Sequence, residues 1–161
     1  MLRTIETQRL LLRPFADGDV DNLHRIQANP DAMRYTFCAT SRDESDQRLR
    51  AYAKLEEEIG FAPWTVLLRE TSHIIGWGGL NVDPFDPGWG VEIAYFFDPE
   101  YWGKGYATEM AVAVKDYALG QLGLERVISL IDPENAASER VAEKVGLRFE
   151  KDVVRPGGET R

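Results

Sequence analysis

Two glycines, Gly103 and Gly105, stand between an apolar segment and a stretch with helical spacing. Glycine lets a backbone approach a ligand closely, and the free N–H groups at the start of a helix point at whatever lies before them, which is typical of an anion site. The Walker A pattern is absent, and Thr108 stands where a dinucleotide fingerprint has a third Gly or Ala. On spacing alone, a plain strand-to-helix turn explains the segment equally well.

A second candidate for chemistry is the carboxylate of Glu92, which interrupts the apolar run over residues 91–97. A nearly continuous apolar run predicts a central strand that is covered on both faces. Burial in such a strand raises the pKa of a carboxyl toward the range that suits a general base. A structural Glu that hydrogen-bonds a neighbouring strand or loop is the equally compatible alternative.

Periodicity and turn residues predict the elements that position these groups. The expected strands are residues 10–14, 64–68, 74–80, 91–97, 127–131 and 147–154. The expected helices are residues 17–29, a helix from Ser41 to Gly60, residues 106–119, and a helix capped by Asn135 and Gly146. The polar turn at 69–72 predicts an antiparallel hairpin, and the order of elements predicts a mixed α/β layer architecture.

Composition restricts the possible partners. The chain has 161 residues, which suits one domain, and a net charge of −8. It therefore lacks the clustered Lys and Arg of a nucleic-acid-binding surface. The single cysteine, Cys38, can form neither an internal disulfide nor a CxxC zinc pair, and we expect no metal. No segment has the apolar core of a signal peptide or the length of a membrane span, so we expect a soluble cytoplasmic protein that binds no membrane.

Several segments carry a resemblance to a known family. Residues 102–107 are similar to the acyl-CoA signature Q/R-x-x-G-x-G/A, with Gly105 and Ala107 at its small positions and Trp102 in place of Gln or Arg. Residues 7–14 resemble the opening strand of the same family, and residues 88–108 resemble its central strand and phosphate loop. Residues 135–138 and 143–147 resemble its second CoA helix. The chain thus resembles the GNAT acetyltransferases, in particular their ribosomal-protein N-terminal acetyltransferase-like branch.

This resemblance implies the GNAT fold, a single α/β domain over residues 1–161 with a central mixed sheet of six to seven strands and about four helices. It implies that strands 91–97 and 127–131 are parallel and splay apart. The pantetheine of acetyl-CoA would enter the gap and pair with backbone groups near Phe96 and Phe97. The family closes with one more strand after the turn at 156–158, and we expect this domain to lack that strand.

The resemblance also implies where acetyl-CoA binds. Its pyrophosphate is expected on the backbone N–H groups of the phosphate loop, and Asn135 and Ser138 are expected beside the pantetheine arm or thiol. Lys144 is expected near the nucleotide phosphate, as is Arg140, although solvated helix charge explains both. The phosphate loop consists of Trp102, Gly103, Lys104, Gly105, Tyr106, Ala107 and Thr108.

The implied reaction is direct transfer of the acetyl group to a primary amine of a small molecule or a protein N-terminus. Glu92 matches the general base of histone-modifying relatives. Glu150 matches a base proposed in the ribosomal branch, with an exposed strand charge as its alternative. The acid Tyr of many relatives is replaced by Ala142, so Ser138 is the suggested substitute, although helix capping or a CoA hydrogen bond also explains it.

The acceptor side is expected to be lined by Tyr35, Phe85 and Trp89, in a monomer or homodimer. A non-catalytic acyl-CoA-binding sensor or interaction module is the alternative function, and a flavin or nicotinamide enzyme is a third interpretation. Nothing in the sequence identifies the acceptor amine.

Overall fold

The computed structural model describes residues 3–161 and arranges them as one antiparallel sheet with helices on both faces. Strand order follows the chain. The strands are β1 (Ile5–Glu6), β2 (Leu10–Pro14), β3 (Trp64–Leu68), β4 (Ile74–Asn81) and β5 (Glu92–Phe97). The helices are α1 (Val20–Gln27), α2 (Arg42–Ala53), α3 (Leu55–Ile59), α4 (Tyr106–Asp116) and α5 (Ala136–Val145).

Some expected helix ends are confirmed, because the side chains that suit a cap form one. The single helix expected from Ser41 to Gly60 is wrong, since α2 ends at Ala53 and α3 begins at Leu55. The helix expected at 17–29 begins as a 3₁₀ turn over Asp17–Asp19 and ends at Gln27. The Ser41 hydroxyl accepts a hydrogen bond from the Glu44 N–H at 3.1 Å, which begins α2. Asn135 caps α5 in the same way through the Ser138 N–H, also at 3.1 Å. Gly60 and Gly146 end α3 and α5 in the left-handed conformation, with φ of 89° and 93°. The α4 helix ends earlier than expected, at Asp116, and continues as a π-helical turn over Tyr117–Gln121.

The side chains of the sheet alternate between two cores. Trp64 and Leu80 are buried on the face covered by α4, together with Met110 and Val114 of that helix. Trp77 and Phe96 are buried on the opposite face, and the helical residues packed in this core are Leu23, Ile26 and Leu49. Burial of each such side chain contributes about 1.5–3 kcal/mol. The Trp77 and Phe96 rings stack with centroids 5.2 Å apart, so β4 and β5 are held together by packing as well as by their backbone ladder.

The expected strand at 127–131 does not form. This segment makes a single parallel bridge to the sheet, between Ile128 and Glu92. In the bridge, the Ile93 N–H donates to the Ile128 carbonyl at 2.8 Å and the Ile128 N–H donates to the Val91 carbonyl at 3.0 Å. No other backbone hydrogen bond joins the two segments within residues 3–161. The β5 strand is therefore the last strand of the sheet and not a central one, and Glu92 at its start is only partly buried.

The expected strand at 147–154 is also wrong, so the sheet has five strands and not six or seven within the described residues. Phe149 is 82% exposed and Val154 is 65% exposed, so these apolar side chains have no core to alternate into. Within the described residues the segment pairs only at its end, where Val154 forms an isolated antiparallel bridge with Thr160 and Val153 exchanges two backbone hydrogen bonds of 2.8 Å with Arg161. The predicted turn at 156–158 between them is confirmed, because the Gly158 N–H donates to the Arg155 carbonyl at 2.8 Å.

Two glycines of β4 set the distance between β4 and β5. A Cβ atom at Gly78 would lie 2.5 Å from the Tyr95 Cβ and 2.6 Å from the Ala94 carbonyl oxygen. A Cβ atom at Gly76 would lie 2.5 Å from the Phe96 carbonyl oxygen. No side chain fits at either position without moving β5, and with it Glu92.

We expect Gly78→Ala to lower the free energy of unfolding by about 1–3 kcal/mol, because the added methyl group overpacks the β4–β5 contact. Urea denaturation measures this change. The matched control is Gly120→Ala, since nothing lies within 4 Å of a Cβ atom there. Equal stability of the Gly78→Ala and Gly120→Ala proteins would contradict the packing argument.

Candidate functional site

A cleft of about 870 Å³ opens along β5 where residues 129–131 separate from the sheet. Its size is within the range usual for small-molecule sites. The start of α4 forms one part of the wall and the start of α5 another. Predicted site residues that line it are Tyr35, Glu92, Phe96, Phe97, Trp102, Gly103, Gly105, Tyr106, Ala107, Thr108, Asn135, Ser138 and Lys144.

The phosphate loop forms one end of the cleft and presents free backbone donors. Gly103 and Gly105 have φ of 75° and 83°, which is the left-handed region that glycine tolerates. Gly105 is the N-cap of α4 and supplies no side-chain acceptor. Within the described residues, the N–H groups from Gly103 to Thr108 have no hydrogen-bond acceptor. Unpaired N–H groups at a helix start suit an anionic ligand such as a pyrophosphate, so the local chemistry fits the expected anion.

Arg9 contacts the phosphate loop and the first turn of α4. Its guanidinium group donates to the Lys104 carbonyl at 2.9 Å, pairs with Glu109 at 2.7 Å and lies 4.3 Å from the centre of the Tyr106 ring. Burial raises the pKa of Glu109, but hydrogen bonds from Thr7 and Arg9 outweigh it and the pKa lies below its ordinary value. The carboxylate of Glu109 is therefore held ionised in the first turn of α4, where it complements the helix dipole.

The middle of the cleft brings β5 and α5 together. The Tyr95 hydroxyl donates to the Ser138 Oγ at 3.4 Å, and burial raises the pKa of Tyr95, which keeps this hydroxyl protonated. Nearer the loop, the Trp102 indole N–H donates to the Phe97 carbonyl at 3.0 Å and ties the loop to the end of β5. The cleft thus holds a protonated hydroxyl pair between its two ends.

The other end of the cleft is acidic. Burial raises the pKa of Glu92 to about 7, with further increases from the charges of Asp83 and Asp86 and a decrease from Arg155. Arg155 lies between these groups and pairs with Asp86 at 2.6 Å and with Asp83 at 3.2 Å. A carboxyl with a pKa near 7 exchanges a proton readily at neutral pH, which is the property of a general acid or base. The carboxylates around it favour a cationic ligand.

Aromatic rings and one arginine form the rim of this acidic end. The Arg48 guanidinium lies between the Phe37 and Phe85 rings, 3.9 Å and 4.1 Å from their centres. Tyr52 packs between Phe85 and Trp77, with ring centroids 6.0 Å and 5.1 Å away. These contacts link α2 to the β4–β5 loop, so the rim is closed by side chains from distant parts of the chain.

Four predicted site residues do not line the cleft. Glu150 is exposed and ion-paired with Arg126, so the geometry gives no support to its role as a base. The Lys104 ammonium lies 5.8 Å from the centre of the Tyr101 ring and not in the cleft wall. Phe85 contributes to the rim, and the Trp89 indole N–H donates to Asp86 at 2.9 Å, which helps to hold the pKa of Asp86 low.

Several residues at the acidic end of the cleft were not predicted from the sequence as site residues. Asp83 and Asp86 carry a detectable signal, since two aspartates in a Pro- and Gly-rich loop directly precede the strand that begins with Glu92. Arg155 carries no such signal, because 72 positions separate it from Asp83. Asn81 and Tyr52 also line the cleft and look like ordinary strand and helix residues in the sequence.

Two features are absent from residues 3–161. No group of three or more His, Cys, Asp or Glu side chains there is arranged to hold a metal ion. No helix in the same part of the chain combines the length and apolar character needed to cross a membrane.

Comparison with known proteins gives consistent matches. The sequence profile of the family described as "Acetyltransferase (GNAT) domain" matches residues 9–148. The Bacillus subtilis protein YkkB is 31% identical over 148 residues, covering 91% of this chain and 86% of that protein. A crystal structure of an acetyltransferase from Agrobacterium tumefaciens has a TM-score of 0.84 at 27% identity and covers 98% of this chain and 91% of that chain. RimL, a ribosomal L7/L12 alpha-N-protein acetyltransferase in complex with coenzyme A, has a TM-score of 0.76 at 17% identity, covers 98% and 93%, and shows the fold alone.

We expect Arg155→Gln to raise the pKa of Glu92 above its value of about 7. The substitution removes a cation that lowers this pKa and takes away the ion-pair partner of Asp83 and Asp86, so both effects disfavour the ionised carboxylate. The measurement is the carboxyl ¹³C shift of Glu92 as a function of pH. The control is Arg126→Gln, whose ion pair with Glu150 lies outside the cleft. A Glu92 pKa that is unchanged or lower in Arg155→Gln would contradict the electrostatic account.

Proposed function

The chain belongs to the GNAT family of acetyltransferases, and from that premise we propose that it transfers the acetyl group of acetyl-CoA directly to a primary amine bound beside Glu92. The observation that carries the proposal is the pairing of functions in one cleft. Unpartnered backbone N–H groups lie at one end, and a partly buried carboxyl with a pKa of about 7 lies at the other. The free N–H groups suit the pyrophosphate of an acyl-CoA, and the carboxyl suits the removal of a proton from an amine.

The donor half is assigned to the phosphate loop and the gap beside β5. The pyrophosphate of acetyl-CoA would accept hydrogen bonds from the N–H groups of residues 103–108, which have no acceptor among residues 3–161. The pantetheine arm would lie between β5, near Phe96 and Phe97, and residues 129–131, where the single bridge at Ile128 ends the pairing. Lys144 and Arg140 line the cleft on α5 and would meet the nucleotide phosphate. The coenzyme A complex of RimL, which has the same fold, supports this assignment.

The acceptor half is assigned to the acidic end. Asp83, Asp86 and Glu92 would attract an ammonium group from solution. An alkylamine with a pKa near 10.4 is neutral in only roughly one part in a thousand at neutral pH, so it must lose a proton before or during attack. Glu92 would take that proton, directly or through a water molecule, as a carboxylate poised near neutral pH. Tyr35 lines the cleft and Phe85 lies at its rim, so both would contact the acceptor, and the Trp89 indole N–H donates to Asp86 in the same loop.

The transfer itself exchanges one bond for another. The amine nitrogen attacks the thioester carbonyl carbon, the C–S bond breaks, and coenzyme A leaves as a thiolate. Backbone N–H groups of β5 would polarise the carbonyl oxygen, as in an oxyanion hole. Ser138 would protonate or hydrogen-bond the thiolate, and Tyr95 would donate to Ser138 in turn, which supplies a hydroxyl where Ala142 replaces the acid Tyr of many relatives.

The direct test is acetylation of a broad panel of amines, including small molecules and peptide α-amines. Mass spectrometry would detect the acetylated acceptor and a thiol reagent would detect free coenzyme A. We expect both products in equal amounts. Tight binding of acetyl-CoA without either product would overturn the proposal and favour a non-catalytic acyl-CoA-binding sensor.

We expect Glu92→Gln to lower kcat by about 10²–10⁴-fold, since the variant keeps the shape of the side chain and loses the base. Affinity for coenzyme A should be unchanged, because Glu92 lies at the opposite end of the cleft from the phosphate loop. Steady-state kinetics and calorimetry measure the two effects. The control is Glu70→Gln in the exposed turn between β3 and β4. Full activity in Glu92→Gln alongside inactivity of Glu150→Gln would move the base to Glu150.

We expect Ser138→Ala and Tyr95→Phe each to lower kcat by about 2- to 10-fold, the size of one lost hydrogen bond. The double variant should lose little more than the more impaired single variant, because the two hydroxyls act through one hydrogen bond. Single-turnover measurement of thiol release tests this coupling. Independent effects that multiply in the double variant would show that the two hydroxyls do not act together.

A further inference from the structure

Asn81 lies directly beside the proposed base. It is the last residue of β4, and its Cα is paired with that of Glu92 across the β4–β5 ladder. Residues paired in this way project on the same face of a sheet, with Cβ atoms about 4.5–5.5 Å apart. Asn81 is fully buried and is one of the residues that line the cleft.

The Asn81 amide has no hydrogen-bond partner among residues 3–161. Both its Nδ2 and its Oδ1 are buried, and neither bonds to any group in the described part of the chain. Gln27, at the end of α1, also lines the cleft, and its Oε1 is likewise buried without a hydrogen-bond partner among the described residues. Buried polar groups in folded proteins are nearly always paired, and an unpaired one destabilises the folded state. Two such amides on one cleft indicate groups that gain their partners when a ligand binds.

We propose that Asn81 recognises the acceptor by hydrogen-bonding to a neutral amide group carried next to its reacting amine, an inference that rests on the proposed function. An amide satisfies both orphaned atoms at once, because its carbonyl accepts from Nδ2 and its N–H donates to Oδ1. An ammonium group satisfies Oδ1 alone. An alkyl group satisfies neither atom.

The charges around Asn81 further restrict which group can stand next to the reacting amine. Glu92 lies opposite Asn81, and Asp83 and Asp86 follow it in the next loop. These two aspartates share the single cation of Arg155, so the three side chains carry a net negative charge to which an ionised Glu92 adds. A free carboxylate beside the reacting amine would bring a like charge into this acidic end, which disfavours binding. The substrate class is therefore a primary amine whose neighbouring carbonyl carbon belongs to an amide and not to a free acid.

Three acceptors of nearly equal shape separate these possibilities. Glycinamide carries the amide, isobutylamine replaces it with a branched alkyl group, and glycine replaces it with a carboxylate. The measurement is kcat/KM for each at saturating acetyl-CoA in the wild-type protein, in Asn81→Leu and in Asn81→Ala. Differences in acceptor pKa cancel, because each ratio of kcat/KM values is compared between proteins and not between acceptors.

We expect the ratio of kcat/KM for glycinamide over isobutylamine to fall about tenfold in both Asn81 variants. For glycine, kcat/KM is expressed per neutral amine, and on that basis we expect wild type to prefer glycinamide. The control, Asn22→Ala, changes an exposed asparagine of α1 and should keep the wild-type ratio. An unchanged ratio in the Asn81 variants overturns the inference while the proposed function stands. Failure of wild type to acetylate any amine in the broad panel overturns both.

Thermal unfolding separates recognition from a structural role. Because the amide is unpartnered in the described part of the chain, Asn81→Leu should keep or raise Tm, as expected when an apolar group replaces an unsatisfied polar one. A lower Tm in Asn81→Leu together with an unchanged acceptor ratio would show that Asn81 serves the fold and not the acceptor.

Discussion

The single backbone bridge between Glu92 and Ile128 determines most of the site. Because pairing stops there, the outer edge of β5 keeps backbone N–H and C=O groups that no neighbouring strand uses, and an extended ligand can pair with such an edge as an added strand would. The other side of β5 is held firmly against β4 by the Gly76 and Gly78 contacts and by the stack of Trp77 on Phe96. The cleft thus occupies the position that a further strand would take beside β5, and Glu92 lies where the gap begins.

The two ends of this gap suit ligands of opposite charge, an anion at the loop end and an amine at the other, in a chain of net charge −8. At the loop end an anion is accommodated by neutral backbone dipoles, while Arg9 braces the loop from behind and pairs with Glu109. At the other end Asp83 and Asp86 share one cation, Arg155, so this end keeps a net negative charge, and burial holds the pKa of Glu92 at about 7. The same acidic surroundings that favour an amine also keep its proton acceptor from being permanently ionised.

Local signals were enough to predict most of the framework. Caps at Ser41, Asn135 and Gly146, the β3–β4 hairpin, and the glycines before α4 all act within a few residues of the chain, and each is present as expected. The prediction failed at 127–131, where apolar residues implied a buried strand, and at 147–154, where alternation implied a strand, because tertiary packing completes neither strand. The acidic end was predicted only through Glu92, because Arg155 and Tyr52 come from distant segments, and the missing partners of Asn81 are a property of packing that no sequence pattern displays.

A crystal structure of the protein with acetyl-CoA would test the central claim most directly. The account predicts the pyrophosphate within hydrogen-bonding distance of the N–H groups from Gly103 to Thr108, and the pantetheine in the gap beside β5. The acetyl carbonyl should then point toward the end of the cleft that Glu92 occupies. Coenzyme bound outside the gap, or a thioester directed away from Glu92, would contradict the account.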